Sequence, residues 1–205
     1  MTKPFIFKVG TALRGVRQSC VTGLFLLLLA CSASADALLR GTVTDAATGA
    51  PAACTVTITD AAGKTVTETD AFKGGFRCAG AFEKQLPPGR TRVRVTRGFE
   101  TRAEARDVVL RDGEATNLVL SLSRTVDLRS RGWVAGDSHV HMIHGERNLP
   151  VDFAFVGLTA RSEDLRYLSL AHAWQLDDPT PEHLDAALAP HATPDCALAW
   201  NIEAP

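Results

Sequence analysis

Residues 38–122 alternate between short runs of β-forming side chains and clusters of turn residues. The runs LLRGTVTD, ACTVTITD, KTVTETD, RTRVRVTRG and TNLVLSLS are rich in Val, Ile and Thr, and segments such as ATGAP and LPPG separate them. A period of two indicates strands with one buried face, and Gly and Pro supply the backbone angles that tight turns need. We therefore predict an all-β region, an antiparallel sandwich of about seven strands.

After residue 127 the pattern changes from strands alone to alternating strands and helices. The segments in chain order are a short apolar stretch (133–141), a possible helix (152–164), a buried strand (165–171), a helix that opens Thr-Pro-Glu (180–189) and a further strand (197–202). Strands that alternate with helices are typical of a parallel sheet or barrel. This region is predicted to be α/β.

Three of the six histidines fall within residues 139–144. His139 and His141 are two positions apart, so in a strand they share a face, at the carboxyl end where α/β proteins bind ligands. His172 follows the second strand and Glu203 the third, so these donors are expected to converge on a divalent metal ion. Asp137 is placed to accept a hydrogen bond from one of these imidazoles, through the ring nitrogen that does not bind the metal.

Two more polar residues, His144 and Glu146, lie in the loop after the first of these strands. Each can be read as an additional metal ligand, as a contact to substrate or as a solvated side chain. The sequence leaves these alternatives open.

The N-terminus has the composition of a secretory leader. A basic lead precedes the apolar run 21–30, which is shorter than the roughly 20 residues that a membrane span needs. Ala33-Ser34-Ala35 matches a cleavage site, which makes residues 1–35 a signal peptide and leaves no transmembrane span. The protein is then exported, to the periplasm or outside the cell. The alternative is a lipoprotein anchored through Cys31.

Export affects how the cysteines are interpreted, because disulfides persist in oxidising compartments. Cys54 and Cys78 could pair across the small β domain, which would stabilise it by roughly 3 kcal/mol. The alternative is two buried free thiols. Cys196 stands alone in the sequence and is expected to belong to a core.

The formal net charge of −1 gives no reason to expect nucleic acid as a partner. The Arg-rich run 90–111 alternates with Val and is followed closely by Glu and Asp. We interpret it as the solvated face of a strand.

The stretch GTVTDAATGAP, residues 41–51, resembles the opening of carboxypeptidase-regulatory-like (transthyretin-like) domains. Gly75-Phe76 and the segment LPPG at 86–89 are similar to later landmarks of that family. The resemblance implies an accessory β-sandwich, here residues 36–125, with a scaffold or binding role and no catalysis.

The stretch GDSHVH, residues 136–141, resembles the first motif of the polymerase-and-histidinol-phosphatase (PHP) metallohydrolases, in particular their CehA/McbA-like branch. Leu170-Ala171-His172 is similar to the second motif but has Ala171 in place of Asp, and Asn201-Ile202-Glu203 is similar to the third without its Gly. The resemblance implies that residues 126–205 are the first part of a distorted (β/α)₇ barrel.

The same resemblance implies two or three divalent ions (Zn, Mn or Fe) and a metal-activated water. The implied reaction is hydrolysis of a phosphoester, ester, amide or carbamate bond in a small-molecule substrate. The family's later ligands have no counterpart before residue 205, so we expect a C-terminally truncated fragment that is inactive alone. The alternative function is a non-catalytic cell-surface or carbohydrate-binding β-sandwich module.

Overall fold

A computed structural model describes residues 35–68, 74–141, 152–172 and 181–202. These residues belong to one compact unit, Ser34–Pro205. The predicted signal peptide, apart from Ala35, lies outside the described residues, and so do His144, Glu146 and Glu203.

Eight strands within the described residues form two sheets that face each other. They are β1 (Ala37–Asp45), β2 (Cys54–Thr59), β3 (Thr65–Val66), β4 (Phe76–Cys78), β5 (Ala81–Leu86), β6 (Gly89–Thr96), β7 (Glu104–Leu110) and β8 (Ala115–Leu122). One sheet has the order β5-β1-β8, and the other has the order β3-β2-β6-β7 with β4 also paired to β2. The predicted β-sandwich is confirmed.

The sandwich core follows from the alternation in the sequence. Leu39, Val43, Val56 and Val93 are fully buried, while the residues between them point outward or lie at the edge of the core. Gly41 breaks the apolar pattern of β1 because the ring of Phe82 on β5 lies against it. A Cβ at Gly41 would be 2.1 Å from that ring.

One strand pair differs from the antiparallel arrangement that we predicted. β1 pairs with β5 antiparallel but with β8 parallel, in register from Leu38–Ala115 to Asp45–Leu122. Short turns impose antiparallel pairing only on strands that follow each other closely along the chain. β1 and β8 are the first and last strands of the sandwich, so no turn constrains their relative direction, and the prediction was wrong for this pair.

The interpretation of the Arg-rich run as a solvated strand face is confirmed. Arg92 on β6 has a side chain that is 59% exposed and lies 3.2 Å from the carboxylate of Asp107 on β7. Val93 and Val95, which alternate with the arginines, are fully buried. Asp107, which also lies 3.6 Å from Arg90, therefore offsets part of the positive charge of this face.

The described part of the second region consists of three parallel strands and two α-helices. Its elements are β9 (Gly136–Val140), α1 (Phe153–Ser162), β10 (Tyr167–His172), α2 (Pro181–Leu188) and β11 (Ala197–Ile202). The strand order is β11-β10-β9, and both pairs are parallel. The predicted order of strands and helices is confirmed, while closure into a barrel stays a prediction.

The helices cover one face of this sheet. Val156 and Ala160 of α1 and Leu188 of α2 pack in one buried cluster with Leu168 and Leu170 of β10. Asp152 begins α1 as an N-cap, accepting a hydrogen bond from the backbone N–H of Phe155 at 2.7 Å. Within the described ranges, no helix is long and apolar enough to cross a membrane.

Cys54 and Cys78 lie directly opposite each other on β2 and β4. Both are buried, and their Sγ atoms are 3.5 Å apart. The structure therefore has them as neighbouring free thiols, in a position where they could be joined. The hydrogen bond between the sulfurs lowers the pKa of Cys78 to about 7 and raises the pKa of Cys54. Cys196 is buried in the α/β core, as expected.

Candidate metal centre

His139 and His141 lie at the carboxyl end of β9, and their rings converge. The two Nε2 atoms are 2.9 Å apart, the ring centroids are 4.7 Å apart and the ring planes meet at 69°. One imidazole donates to the other in this arrangement, so their lone pairs and N–H groups are directed to a shared space. This is the convergence that the spacing of the two histidines predicts.

A β-bulge precedes the histidine pair. β9 is in register with β10 at Asp137–Leu168 and again at Val140–Leu170, so β9 advances three residues while β10 advances two. The extra residue lies in the segment of Ser138 and His139. Bulges redirect side chains and are frequent near functional sites.

In this bulge, side chains form hydrogen bonds with both the carbonyl oxygen and the N–H of the peptide between Ser138 and His139. The carboxylate of Asp137 accepts a hydrogen bond from the backbone N–H of His139 at 3.1 Å. The side-chain amide of Asn201, on β11, donates to the carbonyl oxygen of Ser138 at 2.9 Å and to the hydroxyl of Ser169 at 2.9 Å. The expected bond from Asp137 to an imidazole is thus replaced, in this geometry, by a bond to the histidine's own backbone.

The sheet face on the histidine side carries small and polar residues. Ser169 pairs with Ala199, and Ala171 pairs with Asn201. Because Leu168 and Leu170 face the helices, the alternating Ser169 and Ala171 face the opposite side. This small-residue surface allows the Asn201 side chain to reach across β10 to β9.

The remaining predicted ligands can be located only in part. His172 is the last residue of β10, and its backbone is in register with Ile202, the residue before Glu203. The ends of β9, β10 and β11 therefore meet at one edge, as predicted. The side chain of His172, like His144, Glu146 and Glu203, lies outside the described residues. Among the residues that are described, no group of three or more His, Cys, Asp or Glu forms a metal site.

A buried carboxylate connects the sandwich to the α/β region. Asp164, between α1 and β10, has a left-handed backbone (φ 55°) and a side chain that is 7% exposed. Its oxygens lie 2.6 Å from Arg124, 3.1 Å from Arg97 and 4.0 Å from Arg129. Burial alone would lower the pKa of Arg124, but its hydrogen bonds to Asp164 and Glu100 outweigh this effect and raise that pKa.

Gly98 brings the sandwich into close contact with the same corner. It has φ +50°, and a Cβ on it would lie 2.6 Å from the carbonyl oxygen of Glu163. A cavity of about 490 Å³ beside this corner is lined by arginines and aspartates of both regions, including Arg97, Arg166 and Asp195. The loop between α1 and β10 is thus in close contact with the sandwich.

Sequence reasoning missed Asn201 and Asp164. The sequence does mark Asn201 as unusual, because it is a polar amide within the otherwise apolar strand ALAWNI. Asp164 carried no comparable signal, because its partners Arg97 and Arg124 are 67 and 40 positions away along the chain.

Comparisons with known proteins give similarities of fold only. No family model matches the chain, and no curated protein matches it. GBS52, the minor pilin of Streptococcus agalactiae, is similar with a TM-score of 0.37 and 9% identity, over 46% of this chain and 47% of that one. The pilus 2b backbone protein of group B streptococcus has a TM-score of 0.36 and 13% identity, over 46% and 43%.

A DUF3823 family protein from Parabacteroides merdae has a TM-score of 0.28 and 15% identity, over 45% of this chain and 47% of that one. The chain thus spans less than half the length of each of these three proteins. Because all three TM-scores are below 0.5, function has to be argued from the site itself.

Proposed function

We propose that this chain belongs to an exported metal-dependent hydrolase, with the β-sandwich as its accessory domain. The observation that carries the proposal is the 2.9 Å separation of the two Nε2 atoms of His139 and His141 at the carboxyl end of a parallel strand. The comparisons with solved structures do not contribute to it.

The donor set fits a divalent metal ion. Imidazole nitrogens bind Zn, Mn or Fe at about 2.0–2.2 Å, so one ion can reach both Nε2 atoms. His172 and Glu203, at the ends of the next two strands, are proposed as the remaining donors. Asp137 holds the peptide that carries His139, and so acts as a positioning residue.

A bound ion of this kind lowers the pKa of a coordinated water and polarises the scissile group. The chain's own residues hold His139 and His141 in a converging geometry on a sheet that the helices back. We propose a phosphoester, ester, amide or carbamate of a small molecule as the substrate class.

Metal content tests the proposal. The purified chain is dialysed against Zn²⁺, Mn²⁺ or Fe²⁺, and bound metal is measured against protein concentration. We expect bound metal that is lost in the double variant His139→Ala/His141→Ala. It should be retained in His183→Ala/His191→Ala, the matched control, whose histidines lie in α2 and just after it. A wild type without metal would contradict the proposal.

The second candidate is a non-catalytic surface module. Its support is that β1–β8 enclose a buried core of their own, which includes Leu39, Val56, Ile58, Val93 and Leu120. In that case the wild type and both double variants would bind no metal.

A further inference from the structure

The peptide between Ser138 and His139 is held by two side chains and not by the strand ladder. The bulge removes this peptide from the regular pairing of β9 with β10. Its N–H donates to Asp137 on the same strand, and its carbonyl oxygen accepts from Asn201 on β11. Ser138 and His139 are both exposed, so these two hydrogen bonds act by orienting the peptide and not by satisfying buried groups.

We propose that Asn201 is a positioning residue for the His139–His141 pair, an inference that rests on the proposed function. Its amide nitrogen lies 2.9 Å from both the Ser138 carbonyl and the Ser169 hydroxyl. One side chain therefore joins β11, β10 and β9 at the level of the histidines. The peptide that it fixes leads directly into His139, so its orientation sets the direction of the His139 side chain.

The neighbouring residues allow this contact because they are small. Ser169 and Ala171 of β10 lie on the face that Asn201 crosses, and both are buried. A larger residue at Ser169 would separate Asn201 from Ser138. Asp137 alone fixes only the N–H end of the peptide, so without Asn201 the peptide can rotate about its flanking bonds.

Partners that orient ligands typically change metal affinity by 10–100-fold when they are removed. Asn201→Leu keeps the approximate size of the side chain and removes both donors. Asn201→Ala removes the same donors without adding bulk. We expect each variant to raise the dissociation constant for Co²⁺, measured by its visible absorption in the full chain, by about 10–100-fold.

The matched control is Asn117→Leu, which changes an exposed asparagine on β8 of the sandwich. It should leave the Co²⁺ dissociation constant within about twofold of the wild type. Thermal unfolding of all variants separates a local effect from a general loss of folding. A purely structural role for Asn201 would lower the unfolding temperature and leave the Co²⁺ affinity of the folded protein unchanged.

A second measurement does not require metal. Long-range ¹H–¹⁵N NMR spectra of the metal-free chain report the tautomers and the mutual contact of the two imidazoles. We expect the His139 and His141 ring signals to shift in both Asn201 variants and to stay in place in Asn117→Leu. Unchanged ring signals in folded Asn201 variants would overturn the inference.

The outcomes also separate this inference from the proposed function. The role of Asn201 alone is overturned by the following pair of results. The wild type binds Co²⁺ and the His139→Ala/His141→Ala variant does not, while Asn201→Leu and Asn201→Ala bind Co²⁺ as tightly as the wild type. No Co²⁺ binding by the wild type overturns the proposed function. In that case the ring signals still decide whether Asn201 positions the histidines.

Discussion

Oxidation of Cys54 and Cys78 to a disulfide is expected to stabilise the β-sandwich substantially. The residues are 24 positions apart along the chain, directly opposite on β2 and β4, and their Sγ atoms are already 3.5 Å apart. Closing the bond requires the sulfurs to approach by about 1.5 Å, to the usual 2.05 Å. The loop-closure entropy of such a loop corresponds to about 3.5 kcal/mol at 25 °C.

The assay compares urea unfolding, followed by circular dichroism, of chain refolded with oxidised glutathione and of chain refolded with dithiothreitol. Each bond formed consumes two thiols and one glutathione disulfide and releases two reduced glutathiones. Peptide mapping after blocking of free thiols should identify the Cys54–Cys78 link. Cys54→Ala/Cys78→Ala should unfold identically under both conditions. Free thiols after oxidative refolding, or a difference in unfolding free energy below about 1 kcal/mol, would refute the reasoning.

The reaction should also depend on pH in the folded protein. Hydrogen peroxide converts the Cys78 thiolate to a sulfenic acid with release of hydroxide, and the Cys54 thiol then forms the disulfide with loss of water. Because only the thiolate reacts and the pKa of Cys78 is about 7, its reactive fraction rises about tenfold between pH 6 and pH 8. A rate of thiol loss that is independent of pH across this range would contradict the assignment.

Three further results are expected. Asp164→Asn should lower the free energy of unfolding in urea by about 3 kcal/mol, because three arginines lose the buried carboxylate that they surround. The control Asp112→Asn, at an exposed position, should change this free energy by less than about 0.5 kcal/mol. Equal effects of the two substitutions would contradict this prediction. Gly98→Ala should lower the midpoint of thermal unfolding by placing a Cβ against Glu163 and by costing about 1–2 kcal/mol in a left-handed backbone. N-terminal sequencing of exported protein should begin at Asp36, and a lipid-blocked terminus would indicate anchoring through Cys31.

Local sequence patterns predicted most of the fold. β11 spans the residues expected of it, 197–202, and the helix expected within 152–164 is α1, Phe153–Ser162. Periodicity and capping act over a few residues, so they can be read along the chain. The direction of β8 beside β1 was not predictable in this way, because strands at opposite ends of a sandwich are paired by the packing of the whole domain.

The same division between local and long-range information applies to the candidate site. The spacing of His139 and His141 predicts a shared face, and the rings do converge. The local sequence does not predict the β-bulge that precedes the two histidines, because a register shift depends on how two strands pair. The contact between Asn201 and Ser138 joins residues 63 positions apart and could be found only from the folded chain.

The bulge has a geometric consequence for the histidine pair. In a regular strand, residues two positions apart are separated by about 6.5 Å, because each residue advances the chain by about 3.3 Å. The ring centroids of His139 and His141 are only 4.7 Å apart, and the ring planes are inclined by 69°. The two side chains therefore lean toward each other. The register shift of β9 lies in the segment that leads into His139, and the Asn201 amide on β11 bonds to the carbonyl oxygen of that segment.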